Sequence, residues 1–242
     1  MLEEKSLRNR PDDEIDMKRE ILFRSQILEP NNKVVITGVI EKDFELSHEV
    51  LSEKFYRTKV KVKRKSGVYD HIPVIVSNLL LDRKTIKTPV IGKWVEIAGE
   101  FRSCDQMGED GHRHLLLYVF PKEIRICEKE EELQYPKNVN LFYCEGFICK
   151  EPIYRVTPFG RQIVDLNIAI NRRYWKSDYI PCIIWGRLAR WTRDNLTTSN
   201  NIMIVGRIQS REYHKRNKNG VEKKTAYEVS IERVIRGDTK KK

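Results

Sequence analysis

The chain has no run of about 18 apolar residues, so no helix in it is expected to cross a membrane. Its start, Met1 to Ser6, has no basic cluster leading into an apolar stretch, which argues against a secretory signal and for the cytoplasm. Cysteine is scarce and badly spaced for a metal: five thiols stand at 104, 127, 144, 149 and 182, an odd number with no C-x-x-C pair. That argues against a disulfide framework and a zinc site, and for free thiols held in a core. No Walker loop, nucleophile elbow or G-x-G-x-x-G turn occurs. Asp105, Glu109 and Asp110 cluster in a polar hairpin loop, but no further acid obviously joins them to build a nuclease metal site. His112 and His114 beside them are too few to hold a metal. A non-enzyme without metal or cofactor is expected.

What is there is positive charge, unevenly spread. The net charge is +11, and residues 138–242 hold 21 Lys and Arg against 10 Asp and Glu, whereas residues 1–137 hold 25 of each. The whole surplus lies in the second half, as a contact with an anionic polymer would require.

The two halves are also copies of one unit. Asn32, Gly38, Ile40, Lys42, Asp70, Ile72 and Pro73 recur 108 positions later as Asn140, Gly146, Ile148, Lys150, Asp178, Ile180 and Pro181. Beyond them the offset is 107, which takes Gly99 to Gly206, Ser103 to Ser210 and Ile124 to Ile231. Each copy reads as β-rich. Residues 34–41 are β-branched around Gly38, which predicts a strand bent at the glycine. Thr58 to Lys63 alternates, with Val60 and Val62 on one face and Lys59, Lys61 and Lys63 on the other; residues 164–170 alternate likewise. Further strands are expected at 71–76, 94–99 and 202–206. A short helix is expected at 186–195, with a counterpart at 77–82 capped by Ser77 or Asn78. The last hairpin should turn at Asn219 and Gly220. Five strands with a helix after the third is the OB plan, so the fold class is all-β, two tandem OB-fold barrels. The expected domains are a charged extension over 1–30 with a helix at 12–24, a first barrel over 31–127, a linker over 128–137, a second barrel over 138–236 and a basic tail over 237–242.

Four stretches carry a family likeness: 138–146, 166–174, 178–189 and 205–213. In that order and spacing, residues 138–236 resemble the DNA-binding domain of bacterial single-stranded-DNA-binding proteins. The resemblance implies base stacking at Tyr174 (with Trp175 adjacent), Tyr179, Trp185 and Tyr213. Rings accept any base, because every base has a π-face. Arg172, Arg173, Lys176, Arg207, Arg211 and Lys215 lie beside them in sequence and can neutralise phosphates. In the first copy the four positions become Ser66, His71, Ser77 and Gln106, so the platform is lost there. Lys59, Lys61, Lys63 and Arg64 remain as secondary contacts to a nucleic acid, or as lysines protecting a solvated edge strand.

The expected function is sequence-nonspecific binding and protection of single-stranded DNA in replication, repair or a mobile element. A replication-assembly protein using its barrels for protein contacts, and an RNA-binding protein, are the alternatives. The family implies four barrels per oligomer, which a homodimer of this chain would supply; a monomer with an internal pseudo-dimer is the alternative. The sequence ends in Lys240 to Lys242 instead of the family's acidic tip, so recruitment of replication proteins through such a tip is not expected.

Overall fold

The computed structural model describes residues 31–108, 111, 113–217 and 220–237, the side chains of residues 83, 84, 174 and 215–217 excepted. The charged extension 1–30 with its expected helix, the loop residues Glu109, Asp110 and His112, Asn219 of the last turn, and residues 238–242 lie outside the described residues. So do the side chains of Tyr174 and Lys215.

The described chain is mostly β. Six strands form a first unit: β1 (Asn32–Ile40), β2 (Glu45–Val50), β3 (Glu53–Lys63), β4 (Tyr69–Ser77), β5 (Trp94–Met107) and β6 (Arg113–Cys127). Six more form a second: β7 (Asn140–Ile148), β8 (Ile153–Val156), β9 (Gln162–Asn171), β10 (Ser177–Trp185), β11 (Asn201–Asn217) and β12 (Gly220–Arg236). The helices are α1 (Arg83–Lys87) and α2 (Gly186–Asn195). Within the first unit β1 pairs with β3, β3 with β4, β4 with β6, β6 with β5 and β5 with β1, so the pairings return to their start. The second unit repeats the circuit through β7, β9, β10, β12 and β11.

Closure needs a sharp change of direction in the first strand of each unit. Beyond Gly38, β1 pairs with β3 through Val39 opposite Lys61 and Ile40 opposite Val60. A Cβ on Gly38 would lie 2.5 Å from the Lys61 carbonyl oxygen, and one on Gly146 would lie 2.6 Å from that of Ala169. Only glycine lets the backbones approach so closely. The alternating residues then fill the interior: Val60 and Val62 are buried, as are Val164, Leu166, Ile168 and Ile170.

The structure corrects several sequence expectations. Each unit has six strands instead of five, because β2 and β8 add an outer hairpin partner to β3 and β9. The helix expected at 77–82 is a turn: Ser77 ends β4, its hydroxyl accepts from the Leu79 amide, and the five-residue α1 follows, with the Thr85 amide donating to Asp82. Strand β3 is no edge strand, since β2 and β4 flank it. The stretch 128–137 is fastened to the first unit: the Gln134 and Tyr135 amides donate to Glu96 Oε1 at 2.6 and 2.7 Å, and the Thr37 hydroxyl donates to the Pro136 carbonyl.

The units are joined along β1 and β7, antiparallel, with Val34 opposite Phe142, its own repeat partner. An approximate two-fold axis therefore passes between these residues, and the repeat identities are what it relates. Asn32 bonds the Phe101 backbone in both directions, at 2.9 and 3.0 Å, and Asn140 does the same to Ile208. Buried Asp178 accepts from the Ser103 amide across the junction at 2.8 Å, and buried Asp70 accepts from the Ser210 amide at 2.8 Å. The serine hydroxyls return the contact by accepting from the Tyr179 and His71 amides. Arg102 and Arg172 face Asp178, and Arg64 and Arg207 face Asp70. Phe101 meets Phe142 edge-on at 5.8 Å, so one apolar core runs through both units.

Candidate nucleic-acid interface

Strand β10 sets the first part of the site. Its alternate residues Ile180, Cys182 and Ile184 point into the core, which turns Tyr179, Pro181, Ile183 and Trp185 to the outer face. Tyr179 is 48% exposed and Trp185 41%, about 20 Å apart along the strand at six residues' rise. Trp175 ends the short 3-10 turn Arg173–Trp175 with φ of +58° and is fully exposed. That backbone conformation is costly for a bulky residue, and here it presents the indole to solvent. Tyr213, 37% exposed, lies on the part of β11 where residues 211–214 are exposed on both faces, so the β11–β12 hairpin stands out from the unit there.

Two open hollows accompany the rings. One, of about 560 Å³, is lined by Asn171, Arg172, Trp175, Lys176 and Ser177. The other, of about 490 Å³, sets Trp185 among Arg161, Arg187 and Arg190, with Gly160 and Gly186 opening the floor. Arg187 and Arg190 are three residues apart on α2 and so share a face. Sequence reasoning missed these three arginines: Arg161 is far from Trp185 in the chain, and Arg187 and Arg190, though near it, read as part of a helix and not of the ring's surroundings. The signal was the period of α2, whose buried Ala189 and Thr192 leave Arg187 and Arg190 to the outside.

The other cations divide into two groups. Arg173, Lys176 and Arg211 are exposed. Arg172 and Arg207 instead face the buried junction carboxylates, at 3.4 and 3.3 Å. Burial, with Arg64 close by, pulls the Arg207 guanidinium below its ordinary value, while the bond to Asp70 raises that of Arg64. Of the first-unit residues, Arg64 therefore belongs to the junction, Lys59 and Lys61 are half-buried, and Lys63 is exposed. His71, at the place of Tyr179, is bound to Glu41 at 2.7 Å. Among the described residues no group of three metal-ligating side chains occurs, and no helix is long and apolar enough to cross a membrane. Cys144 and Cys182 are buried, and that burial raises both thiols out of the reactive range.

The fold has solved counterparts. The crystal structure of the wild-type single-stranded DNA binding protein from Thermus aquaticus superposes with a TM-score of 0.63 at 17% identity, covering 87% of this chain and 95% of that one. A deletion mutant of the same protein gives 0.62 at 18% identity. At such identity the likeness is one of fold. The sequence match is narrower: residues 139–236 match the single-strand binding protein family. The chain is 34% identical over 82 residues to single-stranded DNA-binding protein 2 of Chlorobaculum tepidum, and 29% identical over 92 residues to a single-stranded DNA-binding protein of Oceanobacillus iheyensis. These matches take in 30% and 36% of this chain and 55% and 54% of the relatives, so the chain spans about half the length of the curated relatives it matches. The sequence likeness to the bacterial single-stranded-DNA-binding proteins therefore lies in this second half of the chain.

Proposed function

We propose that this chain binds single-stranded DNA without sequence preference, as a non-enzymatic coat in replication or repair. Residues 31–127 and 138–236 act as two OB-type barrels, joined through 128–137, and the second provides the main binding face. One observation carries the reading: large rings that would ordinarily be buried, Trp175, Tyr179, Trp185 and Tyr213, stand exposed on the basic second unit, with arginines beside them. Tyr174 adjoins this set in sequence. Stacking supplies sequence-tolerant energy of about 1–3 kcal/mol per base. Arg161, Arg173, Lys176, Arg187, Arg190 and Arg211 supply phosphate contacts, and Lys215 extends them along the sequence. Lys59, Lys61 and Lys63 offer a secondary track on the first unit.

The test is a tryptophan-fluorescence titration with oligo(dT), oligo(U) and a duplex. The expected result is strong quenching by oligo(dT), weak or none by duplex, and loss of most quenching in a Trp175→Phe, Trp185→Phe variant. Equal affinity for duplex would remove the reading, and preference for oligo(U) would replace DNA by RNA.

A further inference from the structure

The approximate two-fold axis exposes a mismatch on the face of the β1–β7 sheet that points away from the core. On the first unit this face is covered. Val35, Thr37, Glu96 and Ala98 are each at most 4% exposed. Their cover is the stretch that leads into β7. The Thr37 amide donates to the Val139 carbonyl at 2.9 Å, the Val139 amide returns a bond to the Thr37 hydroxyl, and Tyr135 packs against the Val35–Leu141 cluster.

The equivalent positions on the second unit are Tyr143, Glu145, Met203 and Val205. Glu145 is exposed and the other three are half-buried, flanked by exposed Phe147 and Ile235. Register places them together: Val205 is opposite Tyr143, and Met203 is opposite both Glu145 and Ile235. The axis also relates the chain segments that begin here. The Glu145 amide donates to the Asn31 carbonyl at 3.0 Å, the counterpart of the Thr37 amide donating to Val139. Asn31 is anchored further by its side chain, which donates to the Asn171 carbonyl at 2.7 Å. Asn31 therefore lies at the rim of this partly exposed strip.

We infer that residues 21–30 of the N-terminal extension cover this strip, as residues 133–139 cover its counterpart on the first unit. Composition supports the pairing. The segment carries Ile21, Leu22, Phe23, Ile27 and Leu28, with Arg24 and Glu29 its two charged residues. The strip offers Met203 and Val205 where the first unit has Glu96 and Ala98. An apolar segment matches an apolar strip, whereas Glu96 receives backbone amides. Reach is no obstacle: four extended residues span about 13 Å, and a same-face neighbour one strand over lies about 5–8 Å away. A second copy of the chain fits less well, because residues 133–139 already occupy the other half of the face.

Met203 makes the inference measurable, since methionine oxidation follows access of peroxide to the sulfur. Limited peroxide treatment of the full chain, read by peptide mass spectrometry, compares Met203 with exposed Met107 as internal reference. Met203 is expected to oxidise several-fold more slowly than Met107, equally at low and high protein concentration. In the full-length Ile27→Asp, Leu28→Asp variant it should oxidise several-fold faster than in the parent, with Met107 and the circular dichroism unchanged. Three results would overturn the inference: rapid Met203 oxidation in the parent, protection that survives the double substitution, or protection lost on dilution. The last would assign the strip to a second copy.

Discussion

At the scale of single residues, exposed rings and buried carboxylates do opposite work. A ring such as Tyr179, half out of water on a strand whose other face is core, adds little to folding and is free to stack on a base. Tyr179→Ala is expected to weaken oligo(dT) binding by about 1–3 kcal/mol, read by titration, with the urea midpoint close to that of the parent. Asp178 has the reverse profile. It is fully buried among Arg102, Arg172 and the Ser103 amide, so removing it takes the carboxylate from Arg172, leaves Arg102 with Glu100 alone and strands a backbone donor. Asp178→Ala should cost about 3–5 kcal/mol of stability, measured by urea unfolding. The arginines of α2 are expected to contribute through charge. Replacing Arg187 and Arg190 by Gln should flatten the slope of log K against log salt by about 1.4, at about 0.7 per phosphate contact. An unchanged slope would remove both from the binding face.

At the scale of elements, the first strand of each unit is the exacting one. Strands β1 and β7 each pair with three others, and the change of partner happens at Gly38 and Gly146. A methyl group at either place meets a carbonyl oxygen of β3 or β9, and the backbone has nowhere to retreat without opening the circuit. Gly146→Ala is expected to destabilise the chain by about 1–3 kcal/mol, visible as a lowered Tm. Helix α2 behaves differently, since it rests on Ala189 and Thr192 with Leu188 packed against the core, and presents its arginines outward. Exchange of its exposed arginines is therefore expected to cost little stability.

At the scale of the whole molecule, the junction converts two units into one. The β1–β7 ladder, the Asn32 and Asn140 backbone clamps and the two aspartate clusters all cross or flank the axis. Residues 138–242 made alone would uncover the β7 edge at Asn140 to Cys144, together with buried Leu141 and Phe142. An open apolar strand edge seeks a partner. Because the two units are copies, the nearest substitute for β1 is a second β7. Light scattering on this fragment is expected to give twice its chain mass, with oligo(dT) binding retained. A monomeric fragment with full affinity would mean that the junction is dispensable.

The sequence by itself determined the repeat, the alternation that buries Val60, Val62 and Ile168, the bounds of α2 and the positions of the exposed rings. Each is written in local chemistry: strand period, helix period, and aromatic residues at spacings shared with a known family. What only the tertiary structure decided is what the repeat identities are for. Asp70 and Ser103 look in sequence like marks of ancestry, but folded they are hydrogen-bonding partners across an axis, tens of residues from what they touch. The same distance in sequence hid the role of Arg64 and Arg207, whose charge reads as surface until Asp70 is seen buried between them. It also hid the gathering of Arg161, Arg187 and Arg190 around Trp185, which depends on a turn and a helix closing over one end of β10. Charge shows in composition, but whether a charge faces solvent or a buried carboxylate is fixed by contacts between strands far apart in the chain.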